Sequence, residues 1–145
     1  MSLQKDLREF IELLSVLEVR FVIVGAFAVA YHGYFRFTSD IDLFIDSSVE
    51  NARRVFQAVE QFGFGDLKLT VEDFAQKDQV IQLGVSPNRI DVMTFLSGVS
   101  FDEAWSSREL GELDGISVPF ISREMLKRNK IACGRLQDLA DLEYL

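Results

Sequence analysis

Residues 36–46 read Arg36-Phe37-Thr38-Ser39-Asp40-Ile41-Asp42-Leu43-Phe44-Ile45-Asp46, which sets two carboxylates at alternate positions of an otherwise apolar run. On a β-strand, residues two apart project from the same face with Cα atoms about 6.5–7 Å apart, so Asp40 and Asp42 point together. Two adjacent carboxylates among Ile41, Leu43, Phe44 and Ile45 repel one another and are costly to bury unless protons or a cation compensate. The plain reading is a solvated strand end, with Asp42 exposed and Asp40 capping a turn. The specific reading is a divalent cation, because magnesium is held by one or two carboxylates together with the phosphates of a substrate.

Two neighbours in sequence favour the specific reading. Asp91 lies in Arg-Ile-Asp-Val-Met-Thr-Phe, 89–95, again flanked by apolar strand residues. If that strand pairs beside 40–45, three carboxylates meet at one end of the sheet, enough for two metal ions that clamp the attacking and leaving oxygens of a phosphoryl displacement. Upstream, Ile23-Val24-Gly25-Ala26 turns from a strand into a helix, where free backbone N–H groups favour phosphate. Carboxylates for a metal and a glycine turn for phosphate imply a nucleotide triphosphate.

The stretch VGAFAVAYHGYFRFTSDIDLFID resembles the signature of the polymerase-β-like nucleotidyltransferase superfamily. That signature is an apolar-Gly-Gly/Ser turn, a spacer, Asp-x-Asp on a strand and a third Asp on a later strand. His-Gly, Arg-x-Thr and Asp-Ile-Asp-Leu together are similar to minimal bacterial nucleotidyltransferases, including those of abortive-infection and toxin–antitoxin systems. The ending SREMLKRNKIACGRLQDLADLEYL is similar to the helical Asn-Lys…Arg…Asp close of those proteins, so the resemblance runs over nearly the whole chain.

The resemblance implies transfer of a nucleoside monophosphate from a nucleotide triphosphate to an acceptor hydroxyl, with Mg²⁺ as cofactor, two ions being expected and Mn²⁺ a substitute. Asp40 and Asp42 fall on the metal-binding pair and Asp91 on the third carboxylate, which helps activate the acceptor. Gly25 and Ala26 fall on the triphosphate turn, and Arg36, Lys130 and Arg135 on basic positions facing phosphate. Thr38 and Ser39 are candidates for a phosphate bond or for shaping the turn into the strand. Ala26 departs from the Gly or Ser that is usual there, leaving backbone N–H groups alone to meet phosphate. A non-catalytic binding or regulatory module, one half of a toxin–antitoxin-like pair with a protein partner, is the alternative. A structural calcium site is poor, since calcium loops crowd more oxygen ligands into a short segment.

At 145 residues, 48% of them apolar and 26% charged, the chain suits one folded domain, 1–145, with a real core. Phe21 to Phe35 is the longest stretch without Asp, Glu, Lys or Arg; it is shorter than the roughly 20 residues of a membrane helix. The N-terminus mixes Lys5, Asp6, Arg8, Glu9 and Glu12 with apolar residues, unlike a secretory signal, and the lone Cys133 excludes an internal disulfide. A cytoplasmic protein is expected. The net charge of −8 opposes broad coating of polyanions and mildly disfavours a nucleic-acid acceptor; small-molecule, tRNA and protein hydroxyls all stay open.

Periodicity predicts an amphipathic helix over 2–17 capped by Ser2, a buried strand at 21–24, and helical turns closed by Gly33. The second strand, 40–45, is followed by a helix that Ser47 and Glu50 open as a capping box and Gly63 ends. A short helix is expected at 70–76, and strands at 79–85 and 89–95 joined by Ser86-Pro87-Asn88. Beyond them come a brief helix at 101–107, an edge strand at 116–122 carrying Pro119, and helices over 122–133 and 135–144 separated by Gly134. This order predicts an α/β (α+β) fold, a mixed β-sheet flanked by helices.

Several residues take modest roles. His32 is expected to bond backbone at a helix end, Asp46 to serve the start of the following helix, and Arg53 and Arg54 to be solvated. Phe56, Phe62, Phe64, Phe95 and Phe101 are core candidates and Trp105 a core or edge anchor. Leu126, Lys130 and Cys133 share one helical stripe, so Lys130, unlike Lys127 and Arg128, shares a face with apolar residues.

Overall fold

The computed structural model describes residues 5–35, 38, 40–63, 68–85 and 89–145; the expectations for Ser2, Arg36, Ser39, Phe64 and Ser86-Pro87-Asn88 fall outside them. The elements run α1 (Lys5–Val16), β1 (Phe21–Val24), α2 (Gly25–Tyr31), β2 (Ile41–Ile45), α3 (Val49–Phe62), α4 (Val71–Ala75), β3 (Val80–Leu83) and β4 (Ile90–Met93). They continue with α5 (Phe101–Ser106), β5 (Glu109–Leu113), β6 (Ile116–Phe120), α6 (Arg123–Cys133) and α7 (Leu136–Leu142). Among the described residues six strands form one mixed sheet in the order β3-β4-β2-β1-β6-β5, flanked by helices.

The centre of the sheet is the apolar part of the sequence. All four residues of β1 are buried, and in β2 only Asp42 is not. β1 and β2 pair antiparallel, with Val24 opposite Asp42, and β2 and β4 pair parallel. Strand alternation sends Ile41, Leu43 and Ile45 to one face and Asp42 and Phe44 to the other. Phe44 meets Phe101 of α5 edge-on, with ring centroids 5.3 Å apart, so α5 covers the Asp42 face. Helix α1 contributes Leu7, Phe10, Ile11 and Leu14 to the core, and α3 contributes Ala52, Val55, Ala58 and Val59. At about 25 cal/mol per Å² of apolar surface, each large buried side chain of this kind contributes roughly 1.5–3 kcal/mol before entropy is counted.

The helix ends show which local signals won. Gly63 and Gly134 close α3 and α6 in the left-handed conformation, where glycine carries no Cβ penalty. Helix α3 starts one residue later than the Ser47…Glu50 spacing predicts: Ser48 is the N-cap, and its Oγ accepts the Asn51 N–H at 3.3 Å. The side chain of Asn51 decides this. Its Oδ1 accepts from the Arg20 N–H at 2.7 Å, while Nδ2 donates to the carbonyls of Asp46 (2.7 Å) and Arg20 (3.1 Å). Asp46 takes bonds from the N–H and Oγ of Ser48, at 3.3 and 3.2 Å.

Two expectations about the sheet are corrected. Glu109–Leu113 is a strand, β5, which pairs antiparallel with β6 across the turn at Asp114 and Gly115. Both turn residues have positive φ, 51° and 83°, the backbone of a tight hairpin that Asp-Gly favours. Strand β6 is therefore interior, lying between β1 and β5. Pro119 is tolerated there because β6 registers with β1 at one position, Ile23 opposite Phe120. Phe95 is 53% exposed and so is not a core residue, whereas Phe56, Phe62 and Phe101 pack against the core. Among the described residues no helix is long and apolar enough to cross a membrane.

Candidate functional site

Parallel pairing of β2 and β4 sets Asp42 directly opposite Asp91, so the two carboxylates stand on one face at the same level. Asp91 belongs to a strand buried at Ile90, Asp91 and Val92, and Asp40 lies just before β2, where Thr38 Oγ1 bonds its carbonyl at 3.2 Å. Thr38 thus shapes the turn into the strand. Gly25 lies beneath Asp42: at φ +68°, a Cβ built on it would fall 2.0 Å from Asp42 Oδ2. Only glycine lets the β1–α2 turn come this near a carboxylate.

The electrostatics of the cluster are unbalanced. Burial, then the neighbouring Asp91 carboxylate, then Asp40 push the Asp42 carboxyl up to about 7, against the pull of Arg89. Arg89 is a residue that sequence reasoning passed over. Its Nη2 lies 3.3 Å from Asp40 Oδ2 and donates to Asp91 Oδ2 at 3.2 Å. Its Nε stands 3.0 Å from Asp91 Oδ1, a charge contact off the hydrogen-bonding direction, since neither atom has a hydrogen-bond partner. The signal was its spacing, two residues before Asp91 on the same strand face.

As the side chains stand, no three His, Cys, Asp or Glu groups among the described residues converge tightly enough to hold a metal ion. Asp42 and Asp91 are the adjacent pair, and Asp40 joins them through Arg89. A pair of carboxylates, one with an oxygen lacking a hydrogen bond, is a donor set that suits a hard divalent cation completed by substrate oxygens.

Beside the carboxylates opens a cavity of about 200 Å³, and Gly25, Asp42, Met93, Lys130, Cys133 and Arg135 are among the residues lining it. Lys130 shares a wall with Asp42, yet its ammonium is not presented to solvent. Its side chain is 5% exposed and contacts Asp138 Oδ1 at 3.2 Å and Asp141 Oδ2 at 3.0 Å. Arg135 holds the other oxygen of Asp138 through Nε at 2.6 Å and is 74% exposed. Burial alone would raise the Asp138 carboxyl; the bonds from Arg135 and Lys130 outweigh it and hold the group below its ordinary value. A second cavity of about 480 Å³ shares the walls Phe95 and Leu96 and is lined also by Phe44 and Phe101, with Lys77 as its one cation among the described residues.

The remaining candidates are structural. His32 is buried, with Nε2 2.8 Å from the Ile121 carbonyl. Arg128 pairs with Glu103 at 2.6 Å on the surface, and Trp105 is covered by the Arg108 guanidinium, 3.7 Å from its ring centre. Ala26, half-buried in the first turn of α2, presents no polar side chain to the cavity.

No protein-family model and no curated protein matches the chain. Among solved structures, the chain is similar to a candidate nucleotidyltransferase from Thermotoga maritima, with a TM-score of 0.61 and 18% identity over 94% of this chain and 88% of that one. At that identity the likeness is one of fold. The α+β architecture, a mixed six-stranded sheet flanked by helices, is a nucleotidyltransferase-like fold.

Proposed function

We propose that this chain is a metal-dependent nucleotidyltransferase, and the observation that carries the reading is Asp42 facing Asp91 across β2 and β4, above Gly25 and beside a cavity that Arg135 lines. Asp42 and Asp91 would hold Mg²⁺, with Asp40 in reach. The ion neutralises phosphate charge and lets both acids stay ionised side by side. Arg135, the exposed cation of the cavity, meets the triphosphate, while Lys130, fixed between Asp138 and Asp141, braces the same wall.

In the transfer, the acceptor hydroxyl oxygen bonds to the α-phosphorus, the bond from that phosphorus to the bridging oxygen breaks, and pyrophosphate leaves. The hydroxyl proton passes to the Asp91 carboxylate. Catalysis of this kind is mainly positioning and charge neutralisation. The test is incubation with α-labelled ATP, CTP, GTP and UTP, Mg²⁺ or Mn²⁺, and separate pools of small molecules, RNA and protein. Label should pass to one pool, and Asp42→Asn should abolish the transfer while leaving the protein folded; full activity in that variant sinks the assignment.

The second reading is a non-catalytic module, one half of a toxin–antitoxin-like pair, which binds a nucleotide and transfers nothing. Ala26 favours it, because the turn offers phosphate no hydroxyl. It predicts nucleotide binding with no label on any pool.

A further inference from the structure

We propose that the aromatic cavity lined by Phe44, Phe95 and Phe101 is the subsite for the nucleobase, so that one nucleotide lies across both cavities; this rests on the nucleotide reading given above. Asp42 and Phe44 are successive positions on one face of β2, with Cα atoms about 6.5–7 Å apart. Asp42 lines the cavity of about 200 Å³ and Phe44 that of about 480 Å³, while Phe95 and Leu96 line both. The two spaces are therefore neighbours over one face of the sheet, and they meet at the start of the β4–α5 connection. That connection is held from α6: Arg128 Nη2 donates to the Gly98 carbonyl at 2.9 Å and Asn129 Nδ2 to the Ser97 carbonyl at 3.1 Å.

The chemistry of the walls decides which end of the ligand enters which space. In the larger cavity the charged lining residues among those described are Lys77 and Asp78, opposite in sign, so it offers a polyphosphate no net attraction. Its apolar walls are the buried Phe44, Leu96 and Val99, with the half-buried Phe101 set edge-on to Phe44. A mainly apolar cavity of this size with a few polar groups suits an uncharged ring with a polar edge. Lys77 and Asp78, both exposed, supply one donor and one acceptor for that edge. Phe95, 53% exposed where the two cavities meet, offers an aromatic surface on which a base stacks. The acceptor fits this space less well. Its hydroxyl must reach the α-phosphorus beside Asp91, which lines neither cavity, whereas the base is joined to that phosphorus through the ribose and reaches a neighbouring space.

Isothermal titration in Mg²⁺ tests this without turnover, by comparing inorganic tripolyphosphate, which has no base, with the α,β-methylene analogues of ATP, CTP, GTP and UTP, which cannot be cleaved at the α-phosphorus. The preferred analogue should bind wild type more tightly than tripolyphosphate by about five-fold or more, the scale of one stacked base. Phe95→Ala should remove most of that advantage and Phe95→Tyr should keep it. Ser47→Trp puts a ring into the larger cavity from a residue that does not line the smaller one, so it should weaken the analogue and leave tripolyphosphate unchanged. Analogues that bind no more tightly than tripolyphosphate overturn the proposal, and so does full retention of the advantage in both Phe95→Ala and Ser47→Trp, each folded by circular dichroism. In either case bound tripolyphosphate leaves the phosphate site standing and removes only the base subsite. Absence of binding by tripolyphosphate and analogues alike removes both.

Discussion

Asp42 and Asp91 meet as register partners across the parallel β2–β4 ladder, with Gly25 pressed against the first of them. Neighbouring sheet positions bring the two acids together, so their spacing is fixed by backbone hydrogen bonds and not by loop conformation. A sheet that holds like charges side by side gives up stability for function, and that cost is measurable.

The cost has a pH signature. With the Asp42 carboxyl raised to about 7, the folded state keeps a proton that the unfolded chain releases near its ordinary value of 3.8. The Asp42 contribution to stability is therefore full below about pH 4, falls as pH rises toward about 7, and levels beyond it. Each tenfold change in proton affinity is worth about 1.4 kcal/mol, so the loss is on the order of 4 kcal/mol. Asp42→Asn should flatten this slope and exceed wild type in stability at pH 8. Urea denaturation at pH 5 and pH 8 in EDTA reads the difference; parallel behaviour of the two proteins would mean that Asp42 is not protonated in the fold.

Gly25→Ala should destabilise by more than the roughly 1 kcal/mol usual for forcing alanine into positive φ, since its Cβ would fall 2.0 Å from Asp42 Oδ2. The two effects separate in a double-mutant cycle. Asp42→Ala removes the clashing atoms, so the pair should couple by about 0.5–3 kcal/mol in the relieving direction. Additive losses would show that backbone strain alone makes glycine necessary.

The single cysteine reports on the cavity. Cys133 lines the same wall as Asp42 and Arg135, so a triphosphate seated there should slow its alkylation by N-ethylmaleimide several-fold in Mg²⁺. Mass spectrometry over time measures this. Alkylation at an unchanged rate under saturating nucleotide would place the nucleotide elsewhere.

What was legible in the sequence was local. The apolar run of β1, the alternation of β2 and the glycines after α3 and α6 each state their structure within a few residues. Strand β5 was hidden because Glu109, Leu110 and Glu112 are exposed and alternate weakly, although Asp114-Gly115 marks the hairpin. Asp42 and Asp91 could be suspected of meeting, but the register that brings them level is a tertiary fact. The partners of Lys130 were less visible still. Its helical stripe shows that it turns inward, yet Asp138 and Asp141 reach it from the next helix.

That buried triad carries the last prediction. Lys130→Met removes the ammonium that Asp138 and Asp141 share, their side chains being 1% and 0% exposed. Breaking a buried pair from one side costs roughly 3–5 kcal/mol, and here the upper end is tempered because Asp138 still accepts from Arg135 and Asp141 from Gln137. The pH dependence should weaken on the acid side. In wild type the Asp138 carboxyl sits below its ordinary value, so its contribution is present above about pH 4 and fades as pH falls through the folded value. Without Lys130, one of the two groups that hold the Asp138 carboxyl down is gone and that carboxyl rises, so the variant should recover stability relative to wild type as the pH drops toward 4. Adding Asp141→Asn to Lys130→Met should restore part of the loss at pH 7.5, because it removes one of the two buried acids that the ammonium balanced. Thermal melts across pH 4–8 would decide it: a constant gap between Lys130→Met and wild type would show that the lysine stem packs there and its charge does not matter.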